Sequence, residues 1–307
     1  MARKIVATQY GEPADSLEVI DVPIPEPGAG EVVVRVRAAG VNPFDAKQVR
    51  GLVGSDPAKL PLALGGEAAG VVHAAGADSG VAVGDDVVVY PVTGAFAEYV
   101  VAPSSNVHAK PAGLDDDAAA ALLLAGVTAA DILATLGVTA ADTLLVHGGA
   151  GAVGSIVTAR AVAAGATVIA TASEANHDRL RELGAIPVSY RGDLEATVRK
   201  AAPAPVTAVA DTVGSDQAID VSLARVRPDR IVSIAAWARI EDGITVVSGA
   251  TEESKRHRRE AIPGLLDDAA QGRLTVEIAG AFDLTEAARA LETISGPHPR
   301  GKYVLHP

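Results

Sequence analysis

The alternation of Val32, Val34 and Val36 with Val33, Arg35 and Arg37 has the period of two expected of a strand with two unlike faces. Around it, from Lys4 to about Pro111, apolar runs at residues 68–74, 86–90 and 97–101 are separated by Gly, Pro and Asp turns. This half is expected to be mainly β, folded as a small barrel-like domain. At Leu114 the texture changes. Residues 114–136 are rich in Ala and Leu, and Asp115, Asp116 and Asp117 stand where they cap and charge the start of a helix.

Strand-like and helix-like segments then alternate, with strands at 144–147, 167–171, 186–190, 206–211 and 230–235 and helices at 152–164, 174–183, 193–201 and 215–225. Gly165 and Gly184 each follow a helix, where a left-handed cap is expected. The pattern predicts an α/β fold with a doubly wound parallel sheet. After Trp237 it weakens to a strand at 244–248, helices at 252–271 and 286–294, and a last strand at 302–305. Lys255, Arg256, His257, Arg258 and Arg259 lie between Glu252, Glu253 and Glu260, which reads as a solvated helix face rather than an anion site.

Composition narrows the chemistry. With 49% hydrophobic but only 3% aromatic residues, the core is built mostly from Ala, Val, Leu and Ile. There is no cysteine, which removes disulfides, thiolate metal sites and a cysteine nucleophile. A net charge of -12 argues against nucleic acid or an anionic membrane as the main partner. The first residues lack a signal-peptide core, and the strongest apolar run, residues 118–127, is too short to span a bilayer, so a cytoplasmic protein is expected.

Gly149, Gly151 and Gly154 form G-x-G-x-x-G between the strand candidate 144–147 and the helix candidate 152–164. In that context glycines serve a tight turn, close approach to a pyrophosphate, and close packing of helix on strand, with helix N–H groups facing the phosphates. A ribose 2′-hydroxyl would call for an acidic residue about 20 positions on. There the chain holds Thr171, Ala172 and Ser173, with Glu174 already entering the next helix. Ser173, Asn176, His177 and Arg179 are suited instead to a phosphate, so NADPH is the expected cofactor. Ser173 serving as a helix N-cap is compatible with that role.

The order of parts, and the stretches GVNPFDAKQVRG (40–51), LGGEAAGVVHAAG (64–76), VGDDVVVY (83–90), GAFAEYVVAP (94–103), HGGAGAVGS (147–155) and RGKYVL (300–305), carry a resemblance over essentially the whole chain. It resembles the medium-chain dehydrogenase/reductase superfamily and, within it, the zinc-independent, zeta-crystallin-like quinone oxidoreductases. The resemblance implies a GroES-like catalytic domain (1–124), a Rossmann domain (125–255) and a return segment (256–307) completing the first domain. The zinc-dependent branch places Cys where Asn42 stands and a His-Glu pair where this chain has Gly66-Glu67; His73 and Glu67 alone do not make a zinc site.

The same resemblance implies that Asn42 lies beside nicotinamide and substrate, and Lys47 is expected to stabilise developing negative charge. Plainer readings stand beside these: Asn42 shaping a turn before Pro43, Lys47 facing solvent, Asp45 capping a local helix. Tyr90 and Tyr99 read as wall or core residues, and Trp237 as lining a cleft or closing the core. Thr128 is expected near the nicotinamide end, Gly151, Ala152 and Val153 at the pyrophosphate, Tyr190 near the adenosine, and Ile234, Ala235 and Ala236 at the ligand edge of the sheet. Lys302 is expected close to the cofactor. The reaction implied is hydride transfer from NADPH to a quinone or an α,β-unsaturated carbonyl, in a homodimer that pairs through residues 244–248. An enoyl-thioester reductase and an NADPH-sensing protein without turnover are the alternatives.

Overall fold

The strand Glu31–Val41 is the axis of the first of two units. Arg35 and Arg37 are exposed and Val34 and Val36 buried, as the alternation requires, but Val33 is buried as well. The strand is paired on both edges: antiparallel Ala68–Ala75 runs along one, while Tyr99–Pro103 and Lys302–His306 share the other. Ala68–Ala75 continues to Asp86–Val89 and Val107–Ala109, and Lys302–His306 to Ile278–Asp283, giving a seven-stranded curved sheet. Its apolar side chains close on a core of Val34, Val36, Leu64, Val72, Val89 and Phe96, with Leu284 and Leu291 from the returning chain. This is the GroES-like barrel.

The computed structural model describes the whole chain, Met1–Pro307, and divides it into Met1–Leu124 with Leu266–Pro307, and Ala125–Leu265. The second unit holds six parallel strands in the order Ile186–Ser189, Thr167–Ala172, Thr143–His147, Ala208–Asp211, Ile231–Ser233, Thr245–Val246. Thr143–His147 is buried throughout, as a strand covered on both faces must be. The strand order reverses there, which places a topological switch point at its carboxyl end. The sheet is of the Rossmann type. The strand expected at 244–248 shrinks to Thr245–Val246, at the sheet's edge.

Three further expectations are corrected. The apolar run 118–127 belongs to a longer helix, Asp116–Leu136, which by length and hydropathy is sufficient to cross a membrane; 72% of its apolar window is buried inside the protein, as in a core helix. The second boundary lies between Leu265 and Leu266 rather than at residue 255. Helix Glu252–Ala270 explains the shift, because its first half is bonded into the second unit. The basic run is not wholly solvated. Arg258 donates to Asp131 at 2.9 Å and His257 lies 3.2 Å from the same carboxylate, leaving Lys255, Arg256 and Arg259 outside.

Candidate functional site

In the second unit, the apolar strand Thr143–His147 delivers the chain to the glycine turn. Gly148, one residue before the motif, supplies the left-handed backbone (φ +75°). Its N–H bonds Thr171 Oγ1 at 3.0 Å, and the Gly149 N–H bonds the Thr171 carbonyl at 2.9 Å. A Cβ on Gly149 would stand 2.6 Å from the Ala170 Cβ, and one on Gly154 would stand 2.2 Å from the Gly148 oxygen. Packing within the protein therefore demands both glycines. Gly151 is different: it is exposed, and its nearest neighbour would be 3.3 Å away. It opens the helix Ala152–Ala163 without any side-chain cap, and Ala152 is exposed beside it. A Cβ at Gly151 would meet the Gly148 oxygen closely but without the overlap found at Gly149 and Gly154.

The neighbouring strand Thr167–Ala172 ends at Ser173, which is half-buried. Ser173 heads a short 3-10 turn yet makes no cap bond; Asn176 Nδ2 donates to its Oγ at 3.1 Å. Arg179 is held by Glu182 at 3.1 Å. His177 Nε2 is buried without a partner. Tyr190, following Ile186–Ser189, is 44% exposed, and Arg191 beside it is exposed and was not foreseen from the sequence. The strand end itself, Thr171, Ala172 and Ser173, carries no acidic side chain. Ser173, Asn176 and His177 thus stand together at this strand end, while Arg179, expected beside them as a phosphate donor, is paired with Glu182.

At the carboxyl ends of the later strands, Asp211 Oδ2 accepts from Ser233 Oγ at 2.6 Å, and that oxygen accepts in turn from the N–H groups of Ala235 (3.0 Å) and Ala236 (2.9 Å). Ile234 donates its N–H to the Asp211 carbonyl at 3.1 Å. The N–H groups of Ile234, Ala235 and Ala236 are thus taken up in shaping the edge. Trp237 is 52% exposed and does not close the core. Thr128 is buried in helix Asp116–Leu136.

In the first unit Asn42 ends the strand Glu31–Val41 and opens the helix Pro43–Val49, with Pro43 at its first position. Asp45 caps this helix, accepting from the Asn42 N–H at 2.8 Å. Burial raises the Asp45 carboxyl to about 7, against the lowering effect of that N–H and of Lys302. Lys47, in the last turn, is exposed. Asn42 and Lys302 are not exposed: Asn42 Nδ2 donates to Glu67 Oε1 at 3.0 Å, and Lys302 Nζ donates to Glu67 Oε1 at 3.1 Å and to Asn42 Oδ1. Lys302, expected close to the cofactor, directs these two bonds into its own unit. The sequence offers Glu67 only as a metal ligand, because its partners Asn42 and Lys302 lie 25 and 235 residues away. His73 is exposed while Glu67 is buried, and no group of three or more His, Asp or Glu side chains is placed to hold a metal ion.

Comparison with known proteins agrees with this anatomy. Residues 28–112 match the alcohol dehydrogenase GroES-like domain, and residues 183–305 match the zinc-binding dehydrogenase family. The quinone oxidoreductase of Pseudomonas aeruginosa is 42% identical over 133 residues, 42% of this chain and 39% of that protein. The chain spans about two fifths of the length of the curated relatives it matches. Among solved structures, the quinone oxidoreductase of Coxiella burnetii covers 100% of both chains at 32% identity with a TM-score of 0.83. A mycobacterial protein solved in complex with NADPH covers 100% of both at 29% identity and a TM-score of 0.86. The chain belongs to the medium-chain dehydrogenase/reductase superfamily, in its quinone oxidoreductase branch.

Proposed function

We propose that this protein is an NADPH-dependent reductase of quinones or of α,β-unsaturated carbonyl compounds. The observation that carries the reading is the pairing of the exposed glycine at the helix start, Gly151, with a strand end whose residues 171–173 include no acidic side chain and are followed by Asn176 and His177. NADPH, when bound, supplies the hydride. Gly151, Ala152 and Val153 would hold its pyrophosphate, Ser173 and its neighbours the 2′-phosphate, and the exposed ring of Tyr190 the adenosine. Lys47, exposed on the helix Pro43–Val49, is the cation available to a developing enolate or phenolate oxygen. A flat conjugated acceptor suits this equipment because hydride arrives at carbon and the negative charge appears on oxygen.

The test is a set of parallel oxidation assays with NADPH and NADH against a benzoquinone, an alkenal and an enoyl thioester. NADPH is expected to exceed NADH by about tenfold or more in kcat/KM, equivalent to roughly 1.4 kcal/mol of phosphate recognition. A clear preference for NADH would overturn the cofactor assignment. Turnover confined to the thioester would overturn the acceptor class, and tight NADPH binding with no turnover would overturn catalysis itself.

A further inference from the structure

Four polar side chains meet in the interior of the first unit: Asn42 (2% exposed), Asp45 (1%), Glu67 (0%) and Lys302 (5%). Burying charge is costly, and an apolar cluster of the same volume is often at least as stable. What such a cluster supplies that apolar packing does not is direction. Glu67 Oε2 accepts from the Leu124 N–H at 2.8 Å, which fixes one end of the carboxylate. Oε1 faces both Lys302 Nζ and Asn42 Nδ2. The Asn42 carboxamide is consequently held at both ends: its oxygen accepts from the Lys302 ammonium, and its nitrogen donates to Glu67 and, at 3.3 Å, to the Gly40 carbonyl. Rotating the amide by half a turn would set NH2 against an ammonium and oxygen against a carboxylate. Both Asn42 hydrogens and its oxygen are already engaged, so the side chain has no spare donor to offer a substrate.

Asn42 stands at the bend between the strand Glu31–Val41 and the helix Pro43–Val49, and Asp45 grips its backbone N–H from the helix side. Bonds to Asn42 thus join the core packing of Ala46 and Val49 in setting the direction in which this helix leaves the sheet, and this helix carries Lys47. We propose that Lys302 is a positioning residue for the reaction: with Glu67 it clamps the Asn42 carboxamide and so sets the helix that presents Lys47 to the acceptor. The inference rests on the reading of Lys47 given above and assigns Lys302 to the acceptor side rather than to the cofactor.

The experiment compares wild type, Lys302→Arg, Lys302→Met and the double variant Lys302→Met with Glu67→Gln. NADPH affinity is read by fluorescence titration, and turnover with a benzoquinone in the steady state. Lys302→Met is expected to lose about 10- to 100-fold in kcat, the scale of a misplaced catalytic group, with the NADPH Kd changed less than about twofold. Lys302→Arg is expected to recover most of the loss. The double variant, which leaves neither Lys302 nor Glu67 charged, is expected to melt close to wild type and remain slow. Weakening of NADPH binding in step with turnover would overturn the proposal in favour of a cofactor contact. Full activity in the double variant would reduce the cluster to a stability element. An active wild type with an unchanged Lys302→Met variant would sink the role of Lys302 alone, whereas a wild type inert toward every acceptor would sink the functional reading and this inference together.

Discussion

Arg258 donates from Nε to the buried carboxylate of Asp131 at 2.9 Å, tying the start of helix Glu252–Ala270 to the middle of helix Asp116–Leu136. Ser254 Oγ and His257 Nδ1 complete the set around Asp131. Removing one partner of a buried pair leaves a charge without compensation. Arg258→Ala is expected to destabilise the second unit by about 3 kcal/mol, whereas Arg259→Ala, on the exposed face, stays within about 0.5 kcal/mol. Urea denaturation followed by Trp237 fluorescence measures both; equal effects would contradict the buried tie.

The glycines of the turn separate into two kinds. Gly154→Ala forces a Cβ against the Gly148 oxygen and is expected to destabilise by about 1–3 kcal/mol. Gly151→Ala meets only an atom 3.3 Å away, so its melting temperature is expected to change little while NADPH affinity falls about tenfold or more. Thermal melts and NADPH titrations of the two variants check this, and a Gly151→Ala protein that binds NADPH normally would show that no phosphate approaches there.

Asp45 makes folding sensitive to pH in one direction. Its carboxyl is raised by burial from 3.8 to about 7, so the native state binds a proton that the unfolded chain has released. The resulting stability is fully present below pH 3.8 and is lost as pH rises through about 7, a change on the order of 4 kcal/mol. Asp45→Asn keeps an acceptor for the Asn42 N–H and is expected to remove this contribution, read as the pH-dependent difference in unfolding free energy between wild type and variant from pH 4 to 8.

His147 works in the opposite sense. Ser222 donates its hydroxyl to the Ala218 carbonyl at 2.7 Å, so His147 Nε2, 3.1 Å from Ser222 Oγ, carries the hydrogen of a neutral ring, and its Nδ1 is buried without a partner. Burial lowers its pKa from 6.5 to about 4 despite the Asp211 charge. The unfolded chain binds the proton first, so stability is expected to fall by on the order of 3 kcal/mol as pH drops from 6.5 to 4. In wild type the two slopes largely cancel over that window. Asp45→Asn should unmask the fall toward acid, and His147→Gln should unmask the fall toward neutrality; a flat profile in both variants would refute the two assignments.

Features written in neighbouring residues were legible from the sequence: the alternation around Val34, the strand, turn and helix about Gly151, and the missing carboxylate after Thr171. Features that depend on distant partners were not. Asp131 and Arg258 are 127 residues apart and Asn42 and Lys302 are 260 apart, so neither a basic run nor a lysine before a terminal strand reveals its inward bonds. The sequence also left open which residue of the turn is left-handed. With Gly148 and Gly149 adjacent, the motif marks the turn, but only the bonds to Thr171 decide which of the two carries the positive φ. Helix Pro43–Val49 was half visible, through Pro43 at its first position and Asp45 three residues after Asn42.

The tie between Asp131 and Arg258 also bears on how the chain assembles. The strand Glu31–Val41 pairs with Lys302–His306 only across the whole of residues 125–265. For a flexible chain, closing a loop of that length costs on the order of 4 kcal/mol in entropy. Within the second unit, however, Leu265 packs against Gly126, and Arg258 reaches Asp131 close by. Once that unit has folded, the two points where the chain enters and leaves it are neighbours, and the long loop has become a short rigid link. A second unit that forms first would therefore shorten the loop the barrel must close, and loosening Arg258 is expected to slow refolding of a barrel that it does not belong to.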